Sequence, residues 1–266
     1  MFKKIIAFDT EFSRDRTYIP ILSLVQIVDV NDNYAFYDVL SKDVDLKVMI
    51  DIFQDDSILK IVHSGRQDLQ AIYCRFGLVV KNVFDTQIAA RYCGLGSEIS
   101  YFNLANSLLG LDLVKDKKLQ YSEWLKRPLS IKQLEYARLD VVYLKKIYEN
   151  LMHRIKNLPS FVVEDMNLEM KSMGDKKNYT FNPNAFWSKI KTQFQDYDNR
   201  QIEFAKNVFI MREKIAYSLN IPRGKVVDSD VLVKFILTKD IKTLDNKVDK
   251  RVNKNEFLKL LSYVNL

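Results

Sequence analysis

The sequence predicts an α/β domain, a mixed sheet covered by helices, followed by a small all-α bundle. Three observations predict it: short apolar runs separated by turn material at the start, alternating strand-length and helix-length segments up to about residue 155, and helical periodicity through the remainder. Ile5–Phe8, Leu22–Val28 and Tyr34–Tyr37 read as strands, and Asn31-Asp32-Asn33 supplies the turn between the last two, so the chain begins as an antiparallel meander. Val44–Phe53 then reads as a helix, Lys60–Val62 as a strand, Asp68–Arg75 as a helix, Val83–Phe84 as a strand and Thr86–Tyr92 as a helix. The order βββαβαβα fits neither a TIM barrel nor a repeat array.

Ser130 is placed to cap a long helix, because its oxygen can accept from first-turn amides. From Ile131 to about His153, Leu134, Ala137, Val141, Leu144, Ile147, Tyr148 and Leu151 recur at three- and four-residue intervals, as one packed face requires. This helix is expected to close a first domain over residues 1–155. Residues 156–183 read as a helical extension and linker, with a helix over Leu158–Met173 and loop material from Gly174 to Pro183. Residues 184–266 then form the bundle: Phe186–Phe194, Arg200–Leu219, Asp230–Thr238, a short piece at Ile241–Leu244 and a last helix over Lys254–Val264, with Pro222 and Gly224 breaking the chain after the longest.

Composition narrows the function. A hydrophobic content of 47% with 16 Phe and 14 Tyr excludes a disordered chain. Lys and Arg number 41 against 34 Asp and Glu, and the excess is uneven: residues 1–155 carry 21 against 20, residues 156–266 carry 20 against 14. The second part is therefore the better candidate for contact with a polyanion, ordinary solvation being the alternative. Two cysteines, Cys74 and Cys93, without a CxxC pair, fit a reducing compartment and no disulfide scaffold. The N-terminal apolar run is interrupted early by Asp9, and no apolar stretch reaches membrane-spanning length, so the expectation is a soluble cytoplasmic protein with no membrane partner. No glycine-rich nucleotide loop occurs.

The chemistry-bearing residues are acids. Asp9 and Glu11 stand two apart at the end of the first strand, on one side of an extended backbone. Such a pair can hold a hard divalent cation through oxygen ligands, or simply face solvent at a sheet end. Asp68 follows His63-Ser64-Gly65-Arg66-Gln67 between a strand and a helix, and Asp140 lies four residues after Tyr136, so phenol and carboxylate are neighbours on one helical face.

Together, Asp9-Thr10-Glu11-Phe12, His63-Ser64-Gly65-Arg66-Gln67-Asp68 and Tyr136-Ala137-Arg138-Leu139-Asp140 closely resemble the three exonuclease motifs of the ribonuclease D family. Asp85-Thr86-Gln87 and Trp124-Leu125-Lys126-Arg127-Pro128-Leu129 look like further segments of the same family, in the same order. The resemblance implies a ribonuclease-H-like fold over nearly all of residues 1–155. It also implies two divalent cations, Mg²⁺ or in its place Mn²⁺, bound by Asp9, Glu11, Asp68 and Asp140, with Tyr136 orienting the hydrolytic water. The implied reaction is in-line attack of water on the terminal phosphodiester, releasing nucleoside 5′-monophosphates from an RNA 3′ end. Precursors of tRNA or other stable RNAs are the implied substrates, and no obligate protein partner is expected. A proofreading-type DNA exonuclease and an inactive nucleic-acid-binding module are the alternatives.

Beyond the acids, Phe12 and Tyr18 are candidates to stack on a terminal base, or to close the core beside the first strand. Arg66 and Arg138 are candidate phosphate contacts. Arg127 reads better as part of a packed turn. His63 can reach phosphate or a neighbouring acid, but a packing role is favoured because Tyr136 already matches the water-orienting position. The C-terminal region resembles the HRDC helical module that follows ribonuclease D catalytic domains, through Trp187, Arg200, Ala205, Arg212, Ala216, Asn220-Ile221-Pro222, Leu232 and Ile236. Lys189, Lys191, Arg200, Arg212, Lys214, Arg223 and Lys225 are its candidate phosphate neutralisers.

Overall fold

The computed structural model describes residues 5–244 and 248–252. The chain forms two compact units, one made of Met1–Ser13 and Pro20–Tyr179, the other of Arg14–Ile19 and Thr180–Leu266.

The first unit holds a five-stranded sheet: β1 Ile5–Ser13, β2 Ile21–Asp29, β3 Tyr34–Asp38, β4 Leu59–Val62 and β5 Val83–Asp85. The spatial order is β3-β2-β1-β4-β5. The meander expected from the sequence is present, with β1–β2 and β2–β3 antiparallel, while β4 and β5 join parallel through helical crossovers. β1 and β2 both run beyond the expected ends, to nine residues each. The polar ends of β1, Asp9-Thr10-Glu11, belong to the strand because their backbone groups pair with Gln26, Val25 and Leu24 of β2.

Between and after the strands run α1 Lys47–Gln54, α2 Arg66–Phe76, α3 Thr86–Tyr92, α4 Tyr101–Leu109 and the single turn α5 Lys117–Gln120. α2 stops where Gly77 turns left-handed at φ 70°, a conformation that costs glycine nothing. α4 and α5 have no counterpart in the sequence reading. The long helix expected over Ile131–His153 is two helices, α6 Ile131–Val142 and α7 Leu144–Ile155, meeting at Tyr143. Ser130 does cap α6, in a capping box with Gln133.

The segment expected as an extension and linker over 156–183 contains α8 Ser160–Ser172, and its Met166, Met170 and Met173, with Tyr179, are buried in the first core. These side chains join the same core as Phe84, Ile88, Ile147 and Leu151, so the first unit runs well past residue 155.

The second unit contains α9 Trp187–Ile190, a 3-10 turn at Lys191–Phe194, α10 Asn199–Ser218, α11 Arg223–Val226, α12 Ser229–Thr238 and a 3-10 turn at Ile241–Leu244. The helix expected over Phe186–Phe194 is thus two short turns, held by Trp187 and Phe194 against Phe209 of α10. α10 starts at a capping box made by Asp198 and Gln201. The helix expected over Lys254–Val264 lies outside the described residues. Among the described residues, no helix is long and apolar enough to cross a membrane.

Candidate active site

The site assembles where β1, the start of α2 and the second half of α6 meet. β1 alternates, so Phe8 enters the core, where it meets Phe53 with ring centroids 5.0 Å apart, while Asp9 and Glu11 share the other side. A register shift between Glu11 and Phe12 ends this alternation directly after the second acid. α6 contributes Asp140, and one carboxylate oxygen from each of Asp9, Glu11 and Asp140 falls within 4.8 Å of the others. Asp68, in the first turn of α2, approaches from the side: its Oδ1 accepts a 2.5 Å hydrogen bond from the Thr10 hydroxyl. Tyr136 is nearly fully buried one turn before Asp140, with its hydroxyl near enough to that carboxylate to act on it.

Burial without pairing dominates the electrostatics. Burial pushes the Asp9 and Glu11 carboxyls well above their ordinary values, and the neighbouring acids push them further. Burial also lifts Asp140 to about 7, against the pull of Lys115 and of the Tyr136 hydroxyl. It lifts Asp68 to about 6, with the Thr10 hydroxyl opposing. Among the described residues, none of the four carboxylates has an ion pair with a lysine, arginine or histidine. A cluster of oxygen donors this deficient in positive charge fits hard divalent cations, which bind deprotonated carboxylates and remove the cost of ionising them together. The Tyr136 phenol is held far above its ordinary value, first by burial and then by Asp140, so it stays a hydrogen-bond donor.

With this geometry in hand, comparison with known proteins is decisive. Residues 2–156 match the family described as 3′–5′ exonuclease. The chain belongs to the 3′–5′ exonuclease family. It is 33% identical over 251 residues to ribonuclease D of Bartonella henselae, covering 94% of this chain and 60% of that protein. Against ribonuclease D of Sphingobium indicum it is 35% identical over 228 residues, 85% of this chain and 57% of the relative. The exonuclease chain therefore spans somewhat under two thirds of the length of these relatives. Among solved structures, Escherichia coli RNase D, described as an exoribonuclease involved in structured RNA processing, superposes with a TM-score of 0.77 at 28% identity, covering 98% of this chain and 70% of that one.

In the exonuclease unit several side chains missed by sequence reasoning support the acids. Gln26 of β2 donates Nε2 to Asp9 Oδ2 at 2.8 Å, fixing that carboxylate from across the sheet. Thr10 does the same for Asp68. Lys115, in the irregular stretch before α5, is the cation that lowers the proton affinity of both Glu11 and Asp140. Asp85 is buried at the end of β5, and its carboxylate accepts from the backbone N–H groups of Ser64, Gly65 and Gln87 at 2.8 to 2.9 Å. It thereby caps α3 and ties down the turn that delivers Asp68, where Ser64 takes a left-handed φ of 56°. Gly65 is required there, since a Cβ would stand 2.6 Å from both γ-carbons of Val62. For Thr10, Ser64, Gly65 and Asp85 the advance signal was their position within motif-like segments; Gln26 and Lys115 lie outside those segments.

The secondary candidates fare differently. His63 uses both ring nitrogens internally, Nδ1 with the Thr86 hydroxyl at 2.9 Å and Nε2 with the Ile99 carbonyl at 3.0 Å. The carbonyl can only accept, so Nε2 carries a proton, and burial lowers the ring's affinity for a second one. A neutral His63 braces the site with both ring nitrogens engaged inside the fold rather than turned to a phosphate. Arg138 is exposed and stacks its guanidinium 5.5 Å from the Tyr34 ring centre, turned off the Tyr136–Asp140 face by its place on α6. Arg66 is exposed at the start of α2 and acts on the Tyr179 phenol. Arg127 is committed internally, to both Asp38 oxygens at 2.6 and 2.8 Å and to Ser23 and Trp124, as a packed turn requires. The Trp124 ring, 6.1 Å from that of Tyr136, in turn backs the phenol. Phe12 is partly buried against the first core. Tyr18 belongs to the second unit, where its hydroxyl donates to Glu213 at 2.7 Å and its ring meets Phe181 and Tyr217 edge-on.

Proposed function

We propose that this exonuclease acts on RNA, removing nucleoside 5′-monophosphates from a free 3′ end with the help of two divalent cations, Mg²⁺ or Mn²⁺. The observation that carries the reading is the cluster of Asp9, Glu11 and Asp140 within 4.8 Å, without an ion pair among the described residues, with Asp68 beside it and the Tyr136 hydroxyl acting on Asp140. Asp9, Glu11, Asp68 and Asp140 are the residues that would hold the ions. Bound there, the ions supply activation of the attacking water and neutralise charge on the departing 3′ oxygen. Tyr136 offers a neutral hydroxyl donor beside Asp140, suited to orient water for attack. Gln26 and Thr10 keep two of the acids in place between turnovers.

The ribonuclease D relatives support RNA as substrate, and trimming of tRNA precursors or other stable RNAs is the cellular role that this reading assigns. The second unit we assign to the HRDC type and to RNA contact. Its residues, Arg14–Ile19 and Thr180–Leu266, hold 18 Lys and Arg against 11 Asp and Glu, whereas the rest of the chain holds 23 of each. All of the chain's net positive charge thus resides there, and phosphate neutralisation is its natural use.

The test is the product pattern from 5′-labelled single-stranded RNA with Mg²⁺, beside matched DNA and beside EDTA. A ladder shortening from the 3′ end of RNA, abolished by EDTA, is the expected result. Intact RNA that is still bound would turn the reading toward a binding module, and preference for DNA would turn it toward a proofreading-type enzyme.

A further inference from the structure

Asp140 sits near the end of α6, and what ends α6 is a foreign hydroxyl. In an uninterrupted helix the Tyr143 N–H would donate to the Leu139 carbonyl. Instead the Tyr101 hydroxyl stands between them, donating to Leu139 O at 2.9 Å and accepting from Tyr143 N at 3.1 Å. Tyr143 takes φ −100° and ψ −5°, and α7 begins at the next residue. Insertion of a side chain into the hydrogen-bond ladder is a recognised cause of a helix break. The apolar face runs on through the break, with Val141, Leu144, Ile147 and Leu151 all buried, so core packing does not call for an interruption. The inserted group is itself firmly placed: Tyr101 is the first residue of α4, capped by Ser100, and its ring lies edge-on to Phe102 and near His63. The two groups that it separates flank Asp140 in sequence, one immediately before it and one three residues after.

We propose that Tyr101 is a positioning residue for the metal site: its hydroxyl holds α6 open beside Asp140 and so sets where that carboxylate meets Asp9 and Glu11. This rests on the metal-site reading above. The alternative is that the hydroxyl merely fills a gap in the core. The two differ in sign, because without the hydroxyl the Leu139 carbonyl and the Tyr143 N–H can bond to each other and α6 can continue into α7. Stability is then kept while Asp140 is displaced.

The experiment is Tyr101→Phe in the full chain, which keeps the ring against His63 and Phe102 and deletes one oxygen. Three quantities are compared with wild type: Mn²⁺ affinity by electron paramagnetic resonance, the melting temperature without metal, and kcat and KM on single-stranded RNA. The expected result is a loss of about tenfold in Mn²⁺ affinity and a comparable loss in kcat, with KM for RNA and the melting temperature unchanged or the latter raised. Mn²⁺ affinity within twofold of wild type overturns the proposal. So does a loss of affinity matched by a lower melting temperature, which marks a structural role. Failure of the wild-type chain to bind Mn²⁺ sinks the metal-site reading instead, and failure to hydrolyse RNA while binding Mn²⁺ normally sinks only the activity.

Discussion

Both units bury charge, and they do it in opposite ways. The second unit encloses Arg212, fully buried, beside Glu213, 1% exposed, and surrounds them with partners. Glu213 receives Arg212 at 3.4 Å, Arg223 at 3.5 Å and the Tyr18 hydroxyl at 2.7 Å. The Arg212 guanidinium also reaches the Ser229 hydroxyl at 2.8 Å and lies over the rings of Phe186 and Phe209. The first unit brings four acids together and gives them hydrogen bonds, but among the described residues Lys115 is the opposing charge that acts on them. Charges that are neutralised within the fold are architecture, whereas an acidic cluster left short of cations is prepared for something to be added. The difference separates a structural centre from a chemical one without reference to any relative.

The largest effect expected is from Asp140→Asn, which removes a proposed ligand while keeping helical shape: RNA turnover should fall about 10³-fold, roughly 4 kcal/mol in activation free energy, with metal-free stability at neutral pH kept or raised. Turnover retained within tenfold in a steady-state assay would remove Asp140 from the chemistry. Arg212→Met should do the reverse, costing about 3 kcal/mol of stability by leaving Glu213 buried with fewer partners. Urea unfolding followed by Trp187, in a Trp124→Phe background that silences the first unit, reads this directly, and an unchanged midpoint would show that Arg223 and Tyr18 suffice.

Tyr136→Phe ranks next, with kcat down about 10²-fold and RNA affinity kept. An unaffected kcat in single-turnover measurements would make the phenol a packing group.

The smallest effect is on pH dependence. Asp140 and Asp68, lifted to about 7 and about 6, bind protons more tightly folded than unfolded, so their ionisation opposes folding. That opposition is absent below pH 4, grows as pH rises toward 7 and is complete above it. Metal-free protein should therefore gain less or lose more in melting temperature between pH 5 and 8 than Asp140→Asn does, and Mn²⁺ should raise the wild-type value more at pH 8 than at pH 5. Identical pH profiles for the two proteins would show that Asp140 ionises freely in the fold.

Legibility in the sequence followed the same division between local and remote causes. The meander, β4, α3 and the acids with Tyr136 were readable because each is set by local periodicity or by a short motif. The break at Tyr143 was not, since the apolar spacing is continuous across it and its cause, Tyr101, lies some forty residues upstream. Likewise, nothing local marks Gln26, which the β1–β2 register sets opposite Asp9. His63 was readable only as an ambiguity, which Thr86 and Ile99 resolve by taking both nitrogens. The methionines of α8 gave no sign in the sequence of which core they would enter. Each of these depends on a partner far away in the chain, and periodicity carries no information about such partners.

The place of residues Arg14–Ile19 in the second unit has a consequence in time. These six residues lie between β1 and β2, yet Tyr18 finds its partner 195 residues later, at Glu213. At synthesis rates of about 5–20 residues per second, roughly 10–40 s separate the two. During that interval β1 and β2 can pair and the acidic site can form, while the connecting loop waits with its tyrosine unclaimed. The active centre would then be assembled on the ribosome before the helical unit closes, and the loop would be the last part of the early chain to settle.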